Sequence, residues 1–209
     1  MNRSLFLALM PVIASAASPN FRNEVMPVLT KAGCNQGACH GALAGKNGFK
    51  LTLRGYDPEV DYDTLTRQSV GRRISLADPS QSLILLKATM TIPHGGGRRF
   101  KTDSLEYKII HDWIAAGTPP PSAADLEVMS LDVNPRQVTL KPGDQTQLQV
   151  TAKYSDGSTS DVTRWVKYSS SAERPSRRSM PSRCRCSSTS WATTSCSQPG
   201  ARPRLVAYA

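Results

Sequence analysis

The 209-residue sequence contains no apolar run long enough to cross a bilayer. Residues 5–13 form a run of about nine apolar residues, whereas a transmembrane helix needs about 20. This run follows Arg3 and precedes Ala14-Ser15-Ala16, which is the order of a basic segment, an apolar segment and a small-residue cleavage site. We therefore expect residues 1–17 to be a cleaved signal peptide. The mature protein should be periplasmic or secreted, without a transmembrane segment.

Basic residues interleaved with aromatic residues are also missing, although the formal net charge is +10 at pH 7. Residues 173–209 alone hold seven Arg, no Lys and one acidic residue, and they account for most of the excess. Aromatic residues make up only 6% of the chain and do not alternate with basic ones as in surfaces that stack on bases. The sequence therefore predicts no nucleic-acid partner.

The segment 172–209 has neither the alternation of a strand nor the period of a helix. It is rich in Ser, Arg and Pro and holds three of the five cysteines, Cys184, Cys186 and Cys196. A disordered basic extension and an out-of-frame translation product of a GC-rich gene are both open explanations. The Lys-free, Cys-rich composition favours the second explanation. We expect this tail to be unstructured.

Residues 18–121 carry helical signals and are expected to form a mainly α domain. Ser18-Pro19 and Asp78-Pro79 each join a capping residue to a proline suited to a first helical turn. Asp103 and Glu106 have the spacing of a capping box before a third helix. The segment between residues 56 and 69 is predicted to be a polar connection.

Residues 125–171 alternate in the way that antiparallel strands do. Leu148, Val150, Ala152 and Tyr154 should share one face, and residues 155–159 should form a turn. Residues 119–121 are three prolines, which predict a linker between the helical unit and this β unit.

The stretch Gly33-Cys34-Asn35-Gln36-Gly37-Ala38-Cys39-His40-Gly41 carries the clearest chemistry in the chain. Covalent haem attachment commonly uses C-x-x-C-H, in which two thiols add to the porphyrin and the adjacent imidazole ligates the iron. Here two further residues separate the cysteines. From this motif alone, haem attachment and a Cys34–Cys39 disulfide are about equally favoured. Structural zinc is less favoured because it needs four ligands and there is no second Cys/His cluster.

A second axial ligand to a haem iron would come from the segment before the last helix. His94 lies in Pro93-His94-Gly95-Gly96-Gly97, a loop with little surrounding bulk, and is the first candidate. Met90 is the reserve, although its periodic position favours a core role. The third histidine, His111, is expected to be exposed.

The stretches FRNEVMPVLTKAGCNQGACHG, GFKLTLRGYD, GRRISLADPSQSLILLKATM, PHGGGRRF and HDWIAAGTP together resemble the planctomycete-type cytochrome c domain. The resemblance covers residues 21–119 and implies covalent haem c at Cys34 and Cys39, with His40 as proximal ligand. The distal position then falls to His94, with Met90 in reserve. The β unit is similar to a bacterial immunoglobulin-like domain of group 2, of which about the first half is present.

The expected fold class is therefore a mainly α cytochrome c-like domain followed by an incomplete all-β immunoglobulin-like sandwich and a disordered C-terminal tail. The expected function is one-electron transfer with redox partner proteins. An electron carrier is favoured over a catalyst, and a haem enzyme in which neither His94 nor Met90 binds the iron is a third alternative. Arg72, Arg73, Arg98 and Arg99 are candidates to pair with haem propionates or an acidic partner, against the simpler expectation of solvated arginines. The alternative function is a haem-free exported binding or adhesion module that contains a Cys34–Cys39 disulfide.

Overall fold

The computed structural model describes residues 18–139, 144–170 and 205–208. The predicted signal peptide, residues 1–17, lies outside the described residues. Within them, no helix combines the length and the apolar character needed to cross a membrane.

The helical part contains four α-helices joined by longer, mostly irregular segments. A π-helical turn, Phe21–Val25, runs directly into α1, Met26–Lys31. The later helices are α2, Pro58–Thr66; α3, Leu83–Ala88; and α4, Leu105–Ala115. Two 3₁₀ turns, Leu53–Gly55 and Pro79–Gln81, lie before α2 and α3.

Polar side chains cap four of these helical segments, and four of the starts differ from the sequence prediction. Asp78 caps only the 3₁₀ turn Pro79–Gln81, and α3 itself begins at Leu83 without a side-chain cap. The first turn begins after Asn20, not Ser18, since the Asn20 side chain accepts a hydrogen bond from the Asn23 amide at 2.9 Å. Ser104, not Asp103, caps α4. Helix α2 was predicted to be a polar connection, although Asp57-Pro58 carries the same cap-and-proline signal as Asp78-Pro79.

The core of the helical part forms around Trp113 of α4, which is fully buried. Its ring packs against Phe21 at 5.2 Å between centroids and against Tyr62 of α2 at 6.2 Å. The indole N–H donates to the carbonyl of Pro119 at 3.0 Å, and the Tyr62 hydroxyl donates to the carbonyl of Thr118 at 2.8 Å. The aromatic cluster therefore joins three helical segments and anchors the chain as it leaves α4.

A small antiparallel sheet follows, with strand order β1-β2-β3. The strands are β1, Val128–Asn134; β2, Gln149–Tyr154; and β3, Thr159–Asp161. Val133 pairs with Val150, and Ala152 pairs with Ser160. Leu148, Val150 and Ala152 are buried, so the predicted face is confirmed at these residues. Gly157, with φ of 83°, supplies the left-handed residue of the β2–β3 turn.

The last described strands are β4, Lys167–Ser170, and β5, Leu205–Tyr208, which pair antiparallel with Lys167 opposite Tyr208. The prediction of an unstructured tail is wrong for residues 205–208, because their backbone completes a ladder along the otherwise unpaired edge of β4. The rest of the predicted tail, residues 172–204 and 209, lies outside the described residues.

The helical part also contacts residues that follow the three prolines and lie outside the strands. Arg164 makes a bidentate ion pair with Glu106 of α4, with N–O distances of 2.9 and 3.0 Å. The Lys31 ammonium donates to the carbonyl of Val166 at 2.6 Å, and the Asn20 amide donates to Asp125 at 2.6 Å. The predicted linker is therefore bridged by direct contacts.

Candidate functional site

The Cys34–His40 segment forms a compact loop immediately after α1. The His40 amide donates to the Cys34 carbonyl at 3.0 Å, which closes the loop across the residues between the two cysteines. Asn35 is fully buried beneath it and donates through its side-chain amide to Thr30 at 2.8 Å. A Cβ on Gly41 would lie 2.1 Å from the Asn35 carbonyl oxygen, so this position requires glycine.

Cys34 and Cys39 are both free thiols. Cys34 packs against the helical core, and burial raises the pKa of its thiol to about 11, against a smaller opposing effect of Arg99. Cys39 is contacted by Arg99, whose guanidinium donates to the Cys39 sulfur at 3.3 Å. One thiol is thus embedded in apolar surroundings and the other lies beside a cation.

The His40 ring is held through its Nδ1 atom. Nδ1 lies 3.0 Å from the carbonyl oxygen of Phe49, which can only accept, so Nδ1 carries the proton and Nε2 is the free nitrogen. Burial lowers the pKa of His40; the bond to Phe49 opposes this effect, and His94, Arg73 and Arg99 add to it. A neutral imidazole with a free Nε2 is the form that binds metals.

A tight turn places the Phe49 carbonyl that orients His40. Lys46 and Phe49 exchange backbone hydrogen bonds of 2.9 and 3.0 Å around Asn47 and Gly48. Asn47 has φ of 50° and Gly48 has φ of 71°, the geometry of a two-residue hairpin turn. Phe49 was missed in the sequence analysis, but the Asn47-Gly48 dipeptide is a strong signal for this turn and could have located it.

His94 occupies a loop with the same kind of support. Its Nδ1 atom lies 2.9 Å from the Gly97 carbonyl, and its own carbonyl accepts from the Gly97 amide at 2.9 Å. The His94 and His40 rings are parallel within 3°, with centroids 6.3 Å apart. The structure therefore brings together the two histidines that the sequence predicts as ligands, although they are 54 positions apart.

Met90 and His111 differ from this pair. Met90 lies just beyond α3 with φ of 63° and is 46% exposed, so the prediction of a core role is wrong. The left-handed conformation ends the helix before Met90 can continue its buried face. His111 packs against Tyr107 of its own helix and is partly exposed, at 34% of the side chain.

The four candidate arginines separate into two groups. Arg72 and Arg98 are exposed, as expected for solvated arginines. Arg99 contacts Cys39, as described above. Arg73 is 6% exposed, and its guanidinium donates to three backbone carbonyls and one hydroxyl. Its donors are therefore used within the protein and not for an external partner.

Comparisons with protein-family models, with curated proteins and with solved structures found no match to this chain. Among the described residues there is also no group of three or more His, Cys, Asp or Glu side chains arranged to hold a metal ion. Any assignment of function therefore depends on the geometry of Cys34, Cys39, His40 and His94.

Proposed function

We propose that this protein is an exported electron carrier that binds haem covalently through Cys34 and Cys39, with His40 and His94 as the axial ligands. The observation that carries the proposal is the parallel His40–His94 pair beside two free thiols. The fold proposed with it is a cytochrome c-like helical domain, followed by part of an immunoglobulin-like sandwich.

The separation of the two histidine rings is of the size expected for two ligands of one metal ion. Two imidazoles on opposite sides of one ion, each with a metal–nitrogen bond of about 2 Å, have ring centroids about 6 Å apart. The observed separation is 6.3 Å. Each ring also donates its Nδ1 proton to a backbone carbonyl, which leaves Nε2 as the coordinating atom on both.

The thiols and the loop between them suit covalent attachment. Both sulfurs are free, and the loop that carries them contains Gly37, where a Cβ would meet no atom within 4 Å. Haem bound here would supply the one-electron redox chemistry of its iron. The chain itself lowers the pKa of His40 through burial, fixes the tautomer of both imidazoles through their backbone acceptors, and encloses Cys34 against the apolar core.

The test is to express the full chain with a cytochrome c maturation system and to record oxidised and dithionite-reduced absorption spectra. A reduced α band, with haem retained on a denaturing gel, is expected for the wild type and lost in the Cys34→Ser, Cys39→Ser double variant. A colourless protein with a Cys34–Cys39 disulfide would contradict the proposal and support the haem-free binding module.

The distal ligand is tested separately with three alanine variants. His94→Ala should change the absorption spectrum and midpoint potential of the loaded protein. Met90→Ala should leave both unchanged, as should the control His111→Ala, because His111 packs on its own helix. A change with Met90→Ala but not with His94→Ala would assign the distal position to the reserve ligand.

Export is proposed on the sequence of residues 1–17 alone. Mass spectrometry of the N-terminus after expression should show cleavage following Ala16 or Ala17. An intact N-terminus would contradict this part of the proposal without affecting the haem site.

A further inference from the structure

The Arg73 guanidinium is buried without a carboxylate among its hydrogen-bond acceptors. Nη1 donates to the carbonyls of Thr64 and Gln68 at 2.8 and 3.0 Å. Nη2 donates to the carbonyl of Gly48 at 2.9 Å and lies 3.3 Å from the Ser69 hydroxyl. An arginine keeps its charge under all ordinary conditions. A positive charge is therefore held in the interior by neutral acceptors.

These four acceptors belong to two separate segments. Gly48 is in the turn between Lys46 and Phe49, whereas the other three lie at the C-terminal end of α2 and directly after it. Ser69 and Val70, which follow α2, have φ of 55° and 57°, which residues other than glycine rarely adopt. The chain is bent sharply around the guanidinium, which joins the turn to the end of α2.

The turn that Arg73 holds is the one that orients His40. The guanidinium carbon lies 4.7 Å from the centre of the Phe49 ring, and the centroid of the His40 ring lies 4.4 Å from the same centre. The Phe49 carbonyl accepts the Nδ1 proton of His40. Arg73 therefore contacts the Phe49 ring directly and bonds to the carbonyl of Gly48, the residue before Phe49.

We propose that Arg73 is a positioning residue that locks His40 in its Nδ1-protonated tautomer, and that its buried charge favours the reduced state of a metal held by His40. The first half concerns the protein alone. The second half rests on the proposed function, because an added positive charge on the iron is disfavoured by a fixed cation nearby.

The first experiment uses the haem-free full chain and long-range proton–nitrogen NMR of the histidine rings. The wild type should show one tautomer at His40, with the proton on Nδ1. Arg73→Met, which keeps the chain length but removes the donors, should show a mixture of tautomers. The control Arg72→Met removes the exposed neighbouring arginine and should match the wild type.

Arg73→Lys separates the hydrogen-bonding geometry from the charge. A lysine ammonium lacks the planar fork that reaches Gly48 and Thr64 together, so partial loss of the single tautomer is expected. This variant also keeps the test decisive if Arg73→Met does not fold. A single Nδ1-protonated tautomer in every folded Arg73 variant would overturn the positioning role.

The second experiment measures midpoint potentials of the haem-loaded proteins. Arg73→Met should have a lower potential than both the wild type and Arg72→Met, whereas Arg73→Lys should stay closer to the wild type. Equal potentials in all four proteins would overturn the proposed effect of the Arg73 charge on the reduced state. If the wild type binds no haem, the proposed function fails, but the tautomer measurement still decides the positioning role.

Discussion

The Gly95-Gly96-Gly97 loop next to His94 offers a sharp test of the site geometry, because its glycines differ in what an added methyl group would meet. A Cβ on Gly96 would lie 2.8 Å from Nη2 of Arg99 and 2.9 Å from Cε1 of His94. A Cβ on Gly95 would meet no atom within 4 Å. Neither glycine has a positive φ. The substitutions Gly96→Ala and Gly95→Ala therefore differ mainly in contact with the site.

The expected magnitudes follow from these contacts. Gly95→Ala should raise the free energy of unfolding by about 0.4 to 1 kcal/mol, because it restricts only the unfolded chain. Gly96→Ala has the same advantage, but its methyl group must displace the His94 ring or the Arg99 guanidinium. Each hydrogen bond lost by that movement costs about 1 kcal/mol, so Gly96→Ala should be less stable than Gly95→Ala by about 1 to 2 kcal/mol.

Urea unfolding of the full chain, followed by circular dichroism, measures this difference. Histidine NMR of the haem-free protein should show a change at His94 in Gly96→Ala but not in Gly95→Ala. Gly97→Ala is a third variant, which introduces backbone strain at φ of 71° with no atom within 4 Å of the new Cβ. Equal stability and unchanged His94 signals in Gly95→Ala and Gly96→Ala would refute the packing described for this loop.

Three further outcomes are expected. Burial, which would raise the pKa of Glu106, is outweighed by hydrogen bonds from its own amide and from Arg164, so this pKa is lowered from 4.5. Glu106→Gln should therefore reduce the free energy of unfolding by at most about 1 kcal/mol at neutral pH. The difference from the wild type should vanish as the pH falls below the lowered pKa of Glu106. A difference in stability that persists in acid would contradict the ion pair. In the haem-free protein, iodoacetamide should label Cys39 faster than Cys34 at about pH 8, because burial raises the pKa of Cys34 to about 11. Mass spectrometry measures the two labelling rates, and equal rates would contradict the burial of Cys34. Trp113→Phe should lower the free energy of unfolding by about 2 kcal/mol, because the core loses volume and the indole hydrogen bond to Pro119 is lost. Thermal unfolding would detect this loss, and an unchanged Tm would disprove it.

Local sequence signals were enough to find several elements of the fold. Local signals mark three of these features: the Asp78 cap followed by a proline, the apolar alternation from Leu148 to Ala152, and Gly157 in the β2–β3 turn. The same signal at Asp57-Pro58 marks the start of α2, although the polar composition of the segment predicts a connection. The cap and the turn could be predicted because their hydrogen bonds join residues a few positions apart, and the alternation could be predicted because successive side chains of a strand point to opposite faces.

The chemical groups of the candidate site can be read from the sequence: two cysteines and an adjacent histidine in one segment, and a second histidine in a glycine-rich segment. Their arrangement cannot, because His40 and His94 become parallel at 6.3 Å, and Arg73 becomes buried against Phe49, only in the folded chain. The same is true of the ion pair between Glu106 of α4 and Arg164, which lies between β3 and β4. These contacts join residues 24 to 58 positions apart, and they form only when the apolar core has folded and excluded water.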